Sequence, residues 1–257
     1  MNDIVRKEGL TEVKVWDWPL RVLHWTNAGL IIFLILSMVG YEILEELGAG
    51  KAIRKPIKEI HAYVGHVLAV TLILRIIWGF VGNKYAQWSD IIPYKKERWI
   101  NAFKNLGWVF GGLKGKPPVE KGHNSLASML YVPLFAVLIM QVFSGVILSG
   151  EEFGTFPGSV LAGKSVETGV AYADDDEKHE KANGAAAVEG EGAKHGHGEE
   201  SPLVEAMEEV HEVGYGFLLF FIAAHLAGLI LHEIGERRGL LSSMISGSKY
   251  YEKDEVN

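Results

Sequence analysis

No cysteine occurs among the 257 residues, which removes disulfides, thiolate metal sites, iron–sulfur ligation and covalent c-type haem attachment. Any metal chemistry must rest on His, Met or carboxylates. The chain also lacks a basic run. Its 25 Lys and Arg stand against 32 Asp and Glu, a net charge of −7, and that balance has none of the electrostatic footprint of a nucleic-acid binder. The most informative absence is that of charge from four long stretches. Val22–Tyr41, Leu126–Leu148 and Val213–His232 contain no Asp, Glu, Lys or Arg, and Ile60–Val81 contains only Arg75.

A helix needs about 20 apolar residues to cross the hydrocarbon core. The four runs therefore predict an all-α integral membrane protein: one domain, residues 1–257, with spans at about 20–41, 60–81, 126–148 and 211–234. Buried helices of a soluble protein are usually shorter and carry a polar stripe. About twenty mixed-charge residues precede the first span and no small-residue cleavage site follows it, unlike a cleavable signal peptide.

Loop charge orients the bundle. Gly82–Asn124 carries eight Lys or Arg and the tail after Ile234 carries four, whereas Gly150–Glu209 has four against fifteen acids. Positive-inside bias predicts cytoplasmic termini and a cytoplasmic central loop. The short Glu42–Glu59 segment, with four basic residues, argues weakly the other way. Trp99, Ile100, Phe103, Trp108 and Phe110, mixed with Lys and Arg, predict an amphipathic cytoplasmic segment lying on the membrane surface or docking a partner. On the other side lies a long acidic periplasmic loop. Its Glu151–Thr168 part is mixed and includes Phe153, Phe156 and Pro157. Residues of about 172–202 form a flexible acidic insertion too poor in apolar side chains to fold alone. That insertion, which includes His179, His195 and His197, reads as a spacer or as an electrostatic lure for a basic partner.

Ionisable residues inside a membrane are costly and point to function. His24 lies near the inner start of the first span, and His61 and His211 lie near the outer starts of the second and fourth. His225 follows His211 by fourteen residues: almost four turns, about 21 Å deeper, on the same face. One helix thus offers two His at two depths, and the first and second helices each offer a partner. That is the layout for two bis-His centres in a bundle core, with two b-type haems as natural occupants. His66, five residues after His61, competes with it but matches the depth of His211 less well. His232 lies near the inner edge and reads as a quinone contact or a surface residue. His123 reads as a capping or loop residue. Arg75, fourteen residues after His61, needs an anionic partner, and a haem propionate would supply one. Arg21 could do the same or snorkel to lipid phosphate. Gly29, Gly65, Gly145, Gly214, Gly216 and Gly228 either let helices approach or leave room for a flat macrocycle.

The segment Val15-Trp16-Asp17-Trp18-Pro19-Leu20-Arg21-Val22-Leu23-His24-Trp25 resembles the opening of the bacterial cytochrome b561 superfamily, and more closely the cytochrome b subunits of nickel–iron hydrogenases. Ile60-His61, Gly65, Arg75 and Trp78-Gly79-Phe80-Val81-Gly82-Asn83 are similar to their second helix. Gly122-His123-Asn124-Ser125-Leu126-Ala127 is similar to the start of their third, and the His211–His225 gap to their fourth. The resemblance covers nearly all of the chain except the acidic insertion. It implies a four-transmembrane-helix bundle holding two haems b, His24 paired with His225 and His61 with His211, in a bacterial inner membrane. It also implies electron exchange with quinone. The implied partner is a hydrogenase, a dehydrogenase or reductase subunit, or another periplasmic redox protein. A stand-alone quinol-oxidising enzyme of superoxide or ferric reductase type would use the same residues, and a haem-free transporter or scaffold is the third class.

Overall fold

The computed structural model describes residues 10–163, 201–236 and 239–252. The acidic insertion and its three histidines lie outside the described residues, apart from the last two positions of the predicted 172–202 range. Four helices are long and apolar enough to cross a membrane: α1 (Trp18–Glu46), α2 (Lys51–Val81), α5 (Ser125–Phe153) and α7 (Pro202–Glu236). Each overruns its predicted span. At about 1.5 Å per residue, the 29 residues of α1 reach about 44 Å, beyond a hydrocarbon core of about 30 Å. Apolarity marks only the stretch that meets lipid, whereas helix propensity and capping carry the helix further. Their outward side chains, among them Ile32, Leu36, Val70, Ile77, Phe143 and Phe220, are exposed, as lipid-facing residues must be.

α5 packs against α7, α2 and α4, and α1 packs against α2, while α7 has no extensive backbone packing with α1 or α2. Space is thus left where α7 faces the first two helices. The first and last described segments meet at one end of the bundle, here called the near end, where β1 (Leu10–Lys14) pairs antiparallel with β2 (Ser248–Glu252), Leu10 opposite Glu252. The short α3 (Trp88–Ile91), α4 (Lys96–Phe110) and α8 (Leu240–Ser246) lie there too. α6 (Gly158–Leu161) packs on the last turns of α5 at the far end.

The near end is stitched by Asp17. Its carboxylate caps α1 at Leu20 N (3.0 Å) and accepts from Trp78 Nε1 (3.1 Å to each oxygen) and Asn83 N (3.0 Å). Asn83 Nδ2 returns a bond to the Val15 carbonyl at 2.8 Å. The start of α1 is therefore locked to the end of α2. At α4 the structure corrects the surface-helix expectation in part. Trp99, Phe103 and Phe110 are exposed, but Trp108 joins Ala102 and Asn105 on a buried face against the bundle. Gly235 on α7 makes this possible, because a Cβ there would collide with the Trp108 ring.

Candidate functional site

His61 on α2 and His211 on α7 face each other, with ring centroids 6.5 Å apart. Each ring is held by a serine. The Ser37 hydroxyl donates to the Leu34 carbonyl at 2.8 Å, so its oxygen accepts from His61 Nδ1–H at 2.9 Å. The Ser144 hydroxyl donates to the Met140 carbonyl at 2.9 Å, so its oxygen accepts from His211 Nδ1–H at 2.9 Å. Fixing Nδ1 as the donor leaves the Nε2 lone pair of each ring for another task. Ligating histidines are oriented in this way, by a partner on the other nitrogen. Sequence reasoning passed over both serines, since a Ser in an apolar helix ordinarily bonds its own i−3 or i−4 carbonyl. These two do that as well.

Both rings line a cavity of about 260 Å³ enclosed by residues of α1, α2, α5 and α7, including Leu34, Met38, Gly65, Gln141 and Gly145. Two metal–nitrogen bonds of about 2 Å, plus about 1 Å from each nitrogen to its ring centre, would separate opposed imidazoles by about 6 Å. The observed 6.5 Å fits an iron held from both sides. Among the described residues no cluster of three or more His, Asp or Glu could hold a metal ion alone. The donor set is two imidazoles, which suits a macrocycle that supplies the other ligands.

The other pair is placed less tightly. His24 on α1 lies within electrostatic reach of His225, Arg75 and His123. Arg75 is buried at 4% exposure, over the rings of Trp88 (5.0 Å) and Tyr131 (5.8 Å). Its Nη2 donates weakly to the Ala86 carbonyl at 3.4 Å. Its Nη1 is buried with no partner among the described residues. A buried guanidinium with an open donor calls for an anion. Arg21 differs: its Nη1 donates to the Ile245 carbonyl, tying α1 to α8.

The remaining histidines separate by burial and bonding. His66 lines the same cavity as His61; its Nδ1 bonds the Ala62 carbonyl at 2.8 Å and its Nε2 is buried without a partner among the described residues. His123 precedes the α5 cap, Asn124, and faces Asp90, ring Nδ1 to Oδ2 at 3.3 Å. Burial holds His123 below the ordinary histidine range, against the pull of Asp90. Burial works against the Asp90 carboxylate too, but the bonds from His123 prevail and hold it below its usual range. His232 is not a surface residue: it is 6% exposed, because α4 and α5 cover the end of α7.

The glycines also divide. A Cβ at Gly29, Gly65, Gly216 or Gly228 would meet nothing within 4 Å. At Gly145 it would lie 3.1 Å from the His211 ring, and at Gly214 it would strike Gln141. The first group borders open space and the second permits close approach.

The model of the prokaryotic cytochrome b561 family matches residues 15–247. The chain belongs to that family. It is a membrane cytochrome b, whose cofactor is haem b and whose work is electron transfer. Similar proteins include the probable Ni/Fe-hydrogenase B-type cytochrome subunits of Bradyrhizobium diazoefficiens (27% identical, covering 96% of this chain and 89% of the relative) and Rhizobium leguminosarum bv. viciae (27%, 95% and 91%). The probable Ni/Fe-hydrogenase 1 B-type cytochrome subunit of Escherichia coli K12 is 29% identical over 54% of this chain and 60% of its own length. No solved structure matches.

Proposed function

We propose that this cytochrome is a dihaem electron carrier between an extracytoplasmic redox protein and the quinone of a bacterial inner membrane. His61 and His211 would hold the haem near the far end, and His24 and His225 a second towards the near end. Arg75 would receive a propionate of the second haem. Haem b held by these histidines would supply a one-electron iron centre suited to electron transfer. The chain's own residues do the rest: Ser37 and Ser144 fix the ring tautomers, the open glycines leave room, and the apolar walls exclude water. The observation that carries this reading is the facing His61–His211 pair, each ring pinned at Nδ1 by a serine.

A nickel–iron hydrogenase is the partner best supported, because the relatives are so named over most of their length. Docking would occur at the far end, where α1, α2, α5 and α7 run beyond the apolar spans. Loop charge supports a cytoplasmic near end. In the Glu42–Glu59 segment Arg54 pairs with Glu45, Lys55 with Glu59, and Lys58 with Glu152.

Haem stoichiometry of the purified chain, measured by pyridine haemochrome, tests the scheme. The expected result is two haems b per chain, with one lost in His61→Ala, His211→Ala, His24→Ala or His225→Ala. Retention of both by His211→Ala would overturn the pairing. Loss in His66→Ala without loss in His61→Ala would transfer the ligand role to His66.

A further inference from the structure

Where α2 ends and α4 and α5 begin, the near end carries a pocket of about 490 Å³ that electron transfer does not use. Lys84, Lys95, Arg98 and Lys121 line it, against Asp90 and Glu120. Both carboxylates are already engaged. Asp90 accepts from His123 N at 3.2 Å, and Glu120 accepts from Ser125 N at 2.6 Å and from the Ser125 hydroxyl. The pocket is thus left with an excess of positive charge. Its cations are steadied by their neighbours. Lys84 Nζ stands 4.7 Å from the centre of the Tyr85 ring, and Lys95 Nζ 5.6 Å from that of Tyr94. Arg98 Nη2 donates to the His123 carbonyl at 3.1 Å and to Ser128 Oγ at 2.6 Å. Arg98 Nε is buried with no partner among the described residues, and a buried donor is almost always satisfied. A guanidinium fixed on one side, with a donor in hand and two lysines beside it, suits a phosphate.

The surroundings say which phosphate. Lys84 follows the apolar run that ends at Val81, and Lys121 precedes the one that begins at Leu126, so the pocket lies at the depth of lipid headgroups. Phe80, Val81, Tyr94, Trp99 and Phe103, close by in sequence, are all exposed, in the manner of an interfacial belt. A soluble acidic partner would meet only the charges, whereas a phospholipid meets both the charges and the apolar border. We propose that this pocket binds the headgroup of an anionic phospholipid, with the phosphate among Lys84, Lys95 and Arg98 and the acyl chains beside Phe80 and Val81. Basic pockets between membrane helices suit such headgroups. The bound lipid would join the end of α2 to the start of α4. The inference goes beyond the proposed function, and it depends neither on the haem pairing nor on which side of the membrane the near end faces.

The test is native mass spectrometry of the detergent-purified full chain with its haems, titrated with phosphatidylglycerol or with phosphatidylcholine. A lysine beside an anionic headgroup is worth about fivefold in affinity. The wild type should therefore bind phosphatidylglycerol about tenfold or more tightly than phosphatidylcholine. Lys84→Gln/Lys95→Gln, which changes two exposed side chains and should leave the haem spectra as they are, should reduce that preference about fivefold or more. Lys51→Gln/Lys55→Gln removes the same charge at the far end and should keep it. Inorganic phosphate in large excess should leave phosphatidylglycerol bound. A wild type that does not distinguish the two lipids would overturn the inference and leave the pocket to a soluble acidic partner. A preference that survives in Lys84→Gln/Lys95→Gln would place the anionic lipid elsewhere and overturn it too. Displacement of the lipid by inorganic phosphate would make the pocket a site for the free ion. None of these outcomes bears on the haem scheme, whose test is haem stoichiometry.

Discussion

Ser37 and Ser144 do for the far-end histidine pair what its distance alone cannot: they decide which nitrogen of each ring is free. Removing an acceptor from Nδ1–H makes an imidazole a poorer electron donor, which favours ferrous over ferric iron. Ser37→Ala and Ser144→Ala should each raise the midpoint potential of one haem and leave the other unchanged. Arg75→Leu should act oppositely and on the other haem, because loss of a nearby positive charge disfavours electron gain. Redox titration of the three variants reads both signs. If the serine variants moved both haems together, the serines would not be acting through His61 and His211.

At the scale of elements, the spans were legible because a membrane demands an unbroken apolar run, and the runs are there. Their ends were not, since helices continue into polar sequence at Pro202–Glu209 and Lys51–Glu59 without an apolar signal. Depth and periodicity single out the four proposed ligands, and of these the structure brings the rings of His61 and His211 together. The resemblance at Trp16-Asp17 and Trp78–Asn83 gained a physical cause only in three dimensions, where Asp17 joins the two motifs. The surface readings of Trp108 and His232 fail for one reason: each is covered by the other's helix, and a one-dimensional reading does not show which helices meet. The glycines give a test at this scale. Gly150 lies against the Gly158 backbone, which cannot yield to a Cβ, so Gly150→Ala should cost about 1–3 kcal/mol by overpacking. Gly29→Ala should leave the fold intact, because a Cβ meets nothing there, and should instead reduce haem content. Thermal melts of the two variants beside their haem stoichiometry separate the effects. A Gly29→Ala protein with full haem content would show that this space is not used by the cofactor.

Over the whole molecule, the near end is a single clasp made from the segments that flank the four spans. Trp16 Nε1 bonds Ser243 Oγ at 3.1 Å, Trp25 Nε1 bonds the Met244 carbonyl at 3.0 Å, and Arg21 bonds the Ile245 carbonyl. Those three residues surround His24 in sequence. Deleting residues 240–257 should therefore weaken retention of the haem assigned to His24 and His225, while the haem at His61 and His211 persists. Spectra of the truncated protein that showed equal loss of both haems would mean that the clasp supports the bundle as a whole.

The same clasp sets an order of manufacture. Strand β1 precedes all four spans in synthesis and its partner β2 follows them, so α1 must wait in the bilayer, its polar lead-in unpaired, until β2 has been made. Only then can the histidine of the first helix be held in its finished position. A newborn chain thus becomes competent to hold that histidine only once β2 has been made, and a ribosome that stalls before residue 248 leaves a protein whose defect appears at the start of α1.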